Sequence, residues 1–254
     1  MTGKHLAIQI SAKAARFVVF KNEIVLHESS VNFVTTEEED QKQFVEDHFK
    51  ASSSLQEDFD EVTLAWADKR STLVPNNIFA ESSPKSIFEL CYGKYERNDD
   101  IDYNRISELG IVNVFEIPVW IKRFFVLKFP RIIIQHEGTH ALRGVMNVDT
   151  FRAKVTAIVH DGYFQLIIVK HNNLEFYSTF DYQNVEDVIY HLVFTLQQKE
   201  LTGEKGFIDF SLSTEVDNEL LEAFKNSIGR IKELKDCEFR SPNNFIAKSQ
   251  LLCV

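Results

Sequence analysis

Apolar positions in the first thirty residues come in three short runs: Leu6-Ala7-Ile8-Gln9-Ile10, Phe17-Val18-Val19-Phe20 and Ile24-Val25-Leu26. Polar breaks at Ser11 to Ala15 and at Lys21-Asn22-Glu23 separate them. Short apolar runs bounded by turn residues read as strands. A helical pattern follows, with Phe44, Val45, His48 and Phe49 on one face. It is entered through Thr35-Thr36-Glu37-Glu38-Glu39-Asp40, and acceptors and negative charge suit the free N–H groups of a helix start. The next strand is Val62 to Ala67, closed by the polar cluster Asp68-Lys69-Arg70-Ser71.

The same order returns later. Val155 to Val159, the break His160-Asp161-Gly162, Phe164 to Val169, the turn Lys170 to Asn173 and Leu174 to Tyr177 again make three strands. Val185, Val188, Ile189, Leu192, Val193 and Leu196 then mark an amphipathic helix, and Phe207 to Leu212 a strand ending in Ser213-Thr214-Glu215. Phe17 to Lys21 can be laid on Leu166 to Lys170 without a gap. A repeat longer than about a hundred residues exceeds any solenoid period and reads as a duplicated domain. The expected division is residues 1–149 and 150–254.

Between the two copies of the pattern the first half adds further elements. A short helix start is expected at Pro75 to Phe79 and a second helix from Ser83-Pro84, with Ile87, Phe88, Leu90 and Cys91 on its apolar face. Gly93 to Tyr103 reads as charged and irregular. Ile111 to Ile117 is a strand, Val119 to Phe129 a helix ended by Pro130, Ile132 to Ile134 a buried strand, and about Gly138 to Met146 a helix. Asn147-Val148-Asp149 reads as the link. The second half continues with a helix from Glu215 to Ile228, an undecided stretch at Arg230 to Leu234, and a last strand at Asn244 to Ala247.

The chain has 254 residues, 44% hydrophobic and 26% charged, a globular composition without membrane-length apolar runs. Most of its 22 phenylalanines are expected in the core, with a few left to line a groove or interface. The net charge of −10 argues against a nucleic-acid grip. The local basic concentration of Lys122, Arg123, Lys128, Arg131 and Arg143 reads as a solvated face. Cys91, Cys237 and Cys253 have neither disulfide-scaffold nor zinc-knuckle spacing, which fits a reducing cytoplasm. The N-terminus lacks the apolar run and small-residue site of a secretory leader, so none is expected.

Three meandering strands, a helix and further strand–helix units, made twice, resemble the actin-like ATPase superfamily. More closely, the chain looks like an uncharacterised bacterial family with that fold, near the pilus-assembly and cell-division relatives of actin. The resemblance implies an α/β chain with mixed sheets, in which two duplicated ribonuclease H-like lobes share a βββαβα order. It also implies ATP with magnesium in a cleft between the lobes. There the first turn of each lobe carries an Asp-x-Gly pattern whose glycine leaves backbone N–H groups open to phosphate.

The turns depart from that pattern. The first, Gln9-Ile10-Ser11-Ala12-Lys13, has neither aspartate nor glycine, leaving Ser11 and Lys13 as candidate phosphate contacts. The second keeps Asp161-Gly162, a pair that hairpins also favour for backbone reasons. The third offers Ser213, with small residues that also suit a helix cap. Ser11, Lys13, Asp161, Gly162 and Ser213 are therefore the candidate remnant of a nucleotide cleft. The expectation is a cytoplasmic interaction, scaffold or regulatory protein, non-enzymatic, with a protein partner or a second copy and no bound cofactor. An ATP-binding member with a divergent phosphate site is the alternative.

One motif points elsewhere. His136-Glu137-Gly138-Thr139-His140 is an H-E-x-x-H, which on a helix presents two imidazoles to zinc and a glutamate as base, and would make a zinc-dependent hydrolase. Here it follows the strand Ile132 to Ile134 directly, and Gly138 weakens a helix between the ligands. No metal is expected at His136 and His140, which read as residues at a strand end and helix start.

Overall fold

The computed structural model describes residues 3–94, 99–148, 151–203, 205–213, 216, 218–229, 231–234 and 236–253. The chain divides into two compact units, Met1–Arg143 with Ile246–Val254, and Gly144–Phe245.

In the first unit, β1 (Lys4–Ser11), β2 (Ala14–Lys21) and β3 (Ile24–Asn32) form an antiparallel meander. Helix α1 (Glu38–Ala51) returns the chain so that β4 (Glu61–Ala67) lies parallel to β1, and β8 (Ile133–His136) lies parallel to β4. The sheet order is β3-β2-β1-β4-β8. One face of the hairpin, Leu6, Ile8, Ile10, Phe17 and Val19, packs with Val45 and Phe49 of α1. The other face, Ala7, Val18 and Phe20, is covered by Ala247 and Leu251 at the chain's end. Between β4 and β8 the chain makes β5 (Ser71–Pro75), α2 (Pro84–Tyr92), β6 (Asp100–Ile106), β7 (Ile111–Ile117) and α3 (Val119–Lys128). The three strands form a separate antiparallel sheet, β5-β7-β6. Helix α4 (Glu137–Met146) follows β8 without a loop.

The second unit repeats the plan. β9 (Ala153–His160), β10 (Tyr163–Lys170) and β11 (Asn173–Asp181) form the meander, followed by α5 (Val185–Gln198), β12 (Gly206–Leu212), α6 (Asn218–Ile228) and β13 (Cys237–Arg240). The order is β11-β10-β9-β12-β13, with β12 parallel to both β9 and β13. Asn184 caps α5 by accepting from the Asp187 N–H, and Asp187 caps in return, so the helix begins where the apolar period does.

The likeness of the two sheets reaches single residues. The β2–β3 register shifts between Val19 and Phe20, and the β10–β11 register between Ile168 and Val169. Each is the sixth-to-seventh step of its eight-residue strand. Both following turns place two non-glycine residues at positive φ: Asn22 and Glu23 at 51° and 66°, His171 and Asn172 at 50° and 59°. This is the turn whose twist matches that of paired strands. The mixed α/β plan is therefore observed as the sequence implied.

Several expectations change. Pro75 ends β5 instead of starting a helix, and Asp100 onward is β6, in a stretch that reads as irregular because Asp100 and Asp102 leave it few apolar positions. Of that stretch, residues 95–98 lie outside those described, as do Asp149, Thr214 and Glu215; helix α6 is described from Asn218. The last strand is β13, pairing with Gly206 to Asp209, while the tail forms α7 (Phe245–Gln250). Residues 246–254 group with the first unit, because Ile246, Ala247 and Gln250 are buried there.

Candidate functional site

In open sheets with parallel strands, ligands gather at the carboxyl ends of those strands. In the first unit Ser11 ends β1, beside Ala67 of β4, and Trp66 pairs with His136 at the end of β8. The Ser11 hydroxyl accepts from the N–H of Lys13 (3.0 Å) and of Ala14 (3.1 Å), so the serine closes its own turn. The Gln41 amide on α1 donates to the carbonyls of Ala12 (3.1 Å) and Thr35 (3.0 Å), tying that turn to the helix. Lys13 is exposed, and its carbonyl accepts from the Phe33 N–H at 2.7 Å.

In the second unit Asp161 and Gly162 form the two-residue turn between β9 and β10, with φ +87° at Gly162. His160 and Tyr163 stack across its base at 4.6 Å. The Tyr182 hydroxyl donates to the His160 carbonyl (2.7 Å), and the Tyr182 N–H to the Gly162 carbonyl (3.1 Å). The Ser213 N–H donates to the Val159 carbonyl (2.8 Å), so Ser213 lies at the same sheet end as Asp161 and Gly162. The five candidates thus fall as Ser11 and Lys13 on one unit and Asp161, Gly162 and Ser213 on the other.

The H-E-x-x-H residues are built into the first unit's interior. His136 is the last residue of β8, and Glu137 the first of α4. His136 Nε2 donates to the Asp68 carbonyl (2.9 Å), while Nδ1 accepts from the Gly138 N–H (3.0 Å) and faces the Asn113 amide at 3.2 Å. Asn104 receives the His136 backbone N–H (2.8 Å) and the Thr139 hydroxyl (3.2 Å). Both imidazole nitrogens therefore already serve the fold, in a fixed neutral tautomer. His140 is fully buried, and burial pushes its imidazole down to about 3, against a hydrogen bond with the Leu64 backbone that favours the charged form. Among the described residues, no three His, Cys, Asp or Glu side chains are grouped to hold a metal ion.

Two charged clusters escape the sequence reading. The first surrounds Glu116 on β7, which is buried and ion-paired with Arg70. Burial raises its carboxyl to about 7, helped by a hydrogen bond with Asp99 and opposed by the Arg70 charge. The second, in the other unit, sets Asp209 on β12 between Lys154 (3.4 Å) and a two-point contact from Arg240 (2.6 and 3.0 Å). The signal for both is a charged residue inside an apolar strand run. Two of the five residues of the expected basic face are ion-paired: Lys122 with Asp100 (3.2 Å) and Asp102 (3.0 Å), and Arg143 with Glu108 (2.8 Å).

The architecture has solved counterparts. A Bacteroides thetaiotaomicron protein with an actin-like ATPase fold and unknown function superposes with TM-score 0.77 at 19% identity, covering 100% of this chain and 96% of that one. A chain of the PilM-PilN type IV pilus biogenesis complex gives 0.63 at 11% identity, with 98% of each chain covered. The ethanolamine utilization protein EutJ from Carboxydothermus hydrogenoformans gives 0.51 at 8% identity, covering 98% of this chain and 89% of that one. The fold is the actin-like ATPase fold. No curated protein sequence matches. The family model described as a protein of unknown function, DUF3822, matches residues 1–230, and the chain belongs to that family.

Proposed function

We propose that this chain is a cytoplasmic protein-interaction module, a scaffold or regulator on an actin-like frame whose nucleotide site has eroded. The observation that carries this reading is the Ser11 hydroxyl, which occupies the N–H groups of Lys13 and Ala14. A phosphate cradle needs such amides open and uncrowded, which is why glycine is used there. Here Ala12 adds a side chain, and Gln41 anchors the turn from behind. Phosphoryl transfer depends on positioning and on metal neutralising the phosphate charge. The first turn has no carboxylate to anchor magnesium, so its residues do not fit MgATP. Asp161-Gly162 is accounted for as a hairpin turn. The solved PilM-PilN complex supports an interaction role, since a protein of this fold there belongs to a protein assembly.

The test is phosphate release from MgATP together with melting temperature across millimolar MgATP. The expected result is no turnover and no rise, because ligand stabilisation grows as RT ln(1 + [L]/Kd) and needs a site. Turnover, or a rise of several degrees removed by Asp161→Ala, overturns the reading in favour of an ATP-binding member. A rise left intact by that substitution also overturns it and places the ligand away from the Asp161 turn.

A further inference from the structure

His5, Thr63 and Gln250 form a chain of side-chain hydrogen bonds inside the first unit, and they are 3%, 0% and 0% exposed. His5 lies on β1 and Thr63 on its parallel neighbour β4, while Gln250 ends α7, at the far end of the sequence. Thr63 Oγ1 is 2.8 Å from His5 Nε2 and 2.8 Å from the Gln250 amide. That amide matches its surroundings with its nitrogen toward Thr63, donating to Oγ1 (2.8 Å) and reaching the carbonyls of Thr63 (3.2 Å) and Ile8 (3.3 Å). Glu61 lies 3.4 Å from the other ring nitrogen, Nδ1.

These contacts give the chain one direction. The Gln250 N–H donates to the Thr63 hydroxyl, the Thr63 O–H donates to Nε2, and Nδ1 carries the ring proton toward Glu61. This is the neutral imidazole with its acceptor at Nε2. A second proton, taken from water, makes Nε2 a donor as well. Thr63 Oγ1 then receives two donors, and its own hydrogen has lost its acceptor. Turning the Gln250 amide over supplies one, but sets the amide oxygen against the Thr63 and Ile8 carbonyls, at 3.2 and 3.3 Å. Either arrangement leaves a buried polar group mismatched, which costs more inside a protein than in water. The groups around the ring do not remove the conflict. β4 brings Glu61, whose charge favours the protonated ring, β2 sets Phe20 opposite His5, and α4 brings His140, held neutral by its own burial. Burial outweighs Glu61 and lowers the His5 imidazole below its ordinary 6.5.

We propose that His5, Thr63 and Gln250 are a proton-operated latch on the C-terminal helix: the neutral ring holds α7 on the first unit's sheet, and the protonated ring releases it. α7 is the member that gives way. His5 and Thr63 sit on paired strands inside the sheet, whereas α7 has six residues and holds the face of Ala7, Val18 and Phe20 through Ala247, with Leu251 beside it. So short a helix has little stability of its own, and segments with few apolar contacts open first. The hold is complete above 6.5, the ordinary value of the unfolded chain, and is lost as pH falls below it. Release uncovers the sheet face of Ala7, Val18 and Phe20.

The test reads hydrogen exchange at the Ser249 and Gln250 amides, which a helix starting at Phe245 bonds internally. Rates are taken on the full chain at pH 8 and pH 5 and corrected for the intrinsic effect of pH. Protection is expected to fall at least about tenfold at pH 5, the effect of one pKa unit, while the amides of α5 in the second unit keep theirs. His5→Gln retains an acceptor for the Thr63 hydroxyl and takes no proton, so α7 in that variant stays protected at pH 5. Thr63→Val breaks the chain, so α7 exchanges faster already at pH 8 and no faster at pH 5. Nitrogen chemical shifts of the wild-type His5 ring are expected to show the neutral form at pH 8 with its proton on Nδ1, a reading that needs no variant to fold. A proton on Nε2 at pH 8 overturns the proposal. So does equal protection of α7 at the two pH values in the wild type, or an acid response that His5→Gln or Thr63→Val retains.

Discussion

Among single residues, Glu116 carries the clearest consequence. In the folded chain burial and the Asp99 contact hold its carboxyl near 7 in place of its ordinary 4.5. Between those values the folded protein keeps a proton that the unfolded chain has released. Stability from this group is therefore fully present below about 4.5 and is lost as pH rises through about 7. Urea unfolding at pH 5 and pH 8 should show the wild type losing about 1–3 kcal/mol more than Glu116→Gln over that interval, one pKa unit being worth about 1.4 kcal/mol. Parallel pH profiles for the two proteins would refute this. The sequence places Glu116 in a strand, where its charge would ordinarily face water. What covers it is Arg70, from the segment between β4 and β5, whose proximity no local pattern encodes. The H-E-x-x-H is the converse case. Its letters match a metal motif, yet His136 is consumed by Asp68, Gly138 and Asn113.

At the scale of elements, the β2–β3 turn invites a test. Glu23 sits at φ +66°, a conformation that costs a residue with a Cβ and that glycine adopts freely. Asparagine followed by glycine is the preferred pair for such a turn, and Asn22 already supplies the first of the two. Glu23→Gly is expected to raise stability by about 0.5–1 kcal/mol, read as a higher melting temperature with unchanged secondary structure. A fall would mean that Glu23 contributes through a contact that offsets the strain. The meanders and long helices were readable because their periods of 2 and 3.6 are written in consecutive residues. β5 and β6 were not, since their apolar residues are few and only pairing with β7 makes them strands.

For the molecule as a whole, the chain's end is where order along the sequence and order in space part company. Ala247 lies against Ala7, Val18 and Phe20, and the buried Gln250 amide meets the Thr63 hydroxyl at 2.8 Å. Thr63 in turn lies 2.8 Å from His5 Nε2. Ending the chain after Phe245 would expose one face of the first unit's sheet. We expect a loss of at least about 3 kcal/mol, or insoluble protein, as for removal of a core element. Gln250→Ala, a smaller change, should cost about 1–3 kcal/mol in urea unfolding because it strips a buried hydrogen-bond partner. A truncated chain as stable as the full one would show that the tail is dispensable.

The sequence alone determined that three strands and a helix occur twice, because hydrophobic period and turn chemistry are local and each lobe repeats them at the same spacing. It also showed the missing aspartate and glycine in the first turn, since those absences are compositional. Tertiary structure decided the rest. That the Ser11 hydroxyl takes the amides of its own turn, that His136 is a buried scaffold residue, that Arg70 meets Glu116 and that the last helix completes the first unit all depend on how the chain is arranged in space. Contacts between distant segments are set by which faces remain to be buried once the local elements exist, and a pattern read one window at a time does not contain that information.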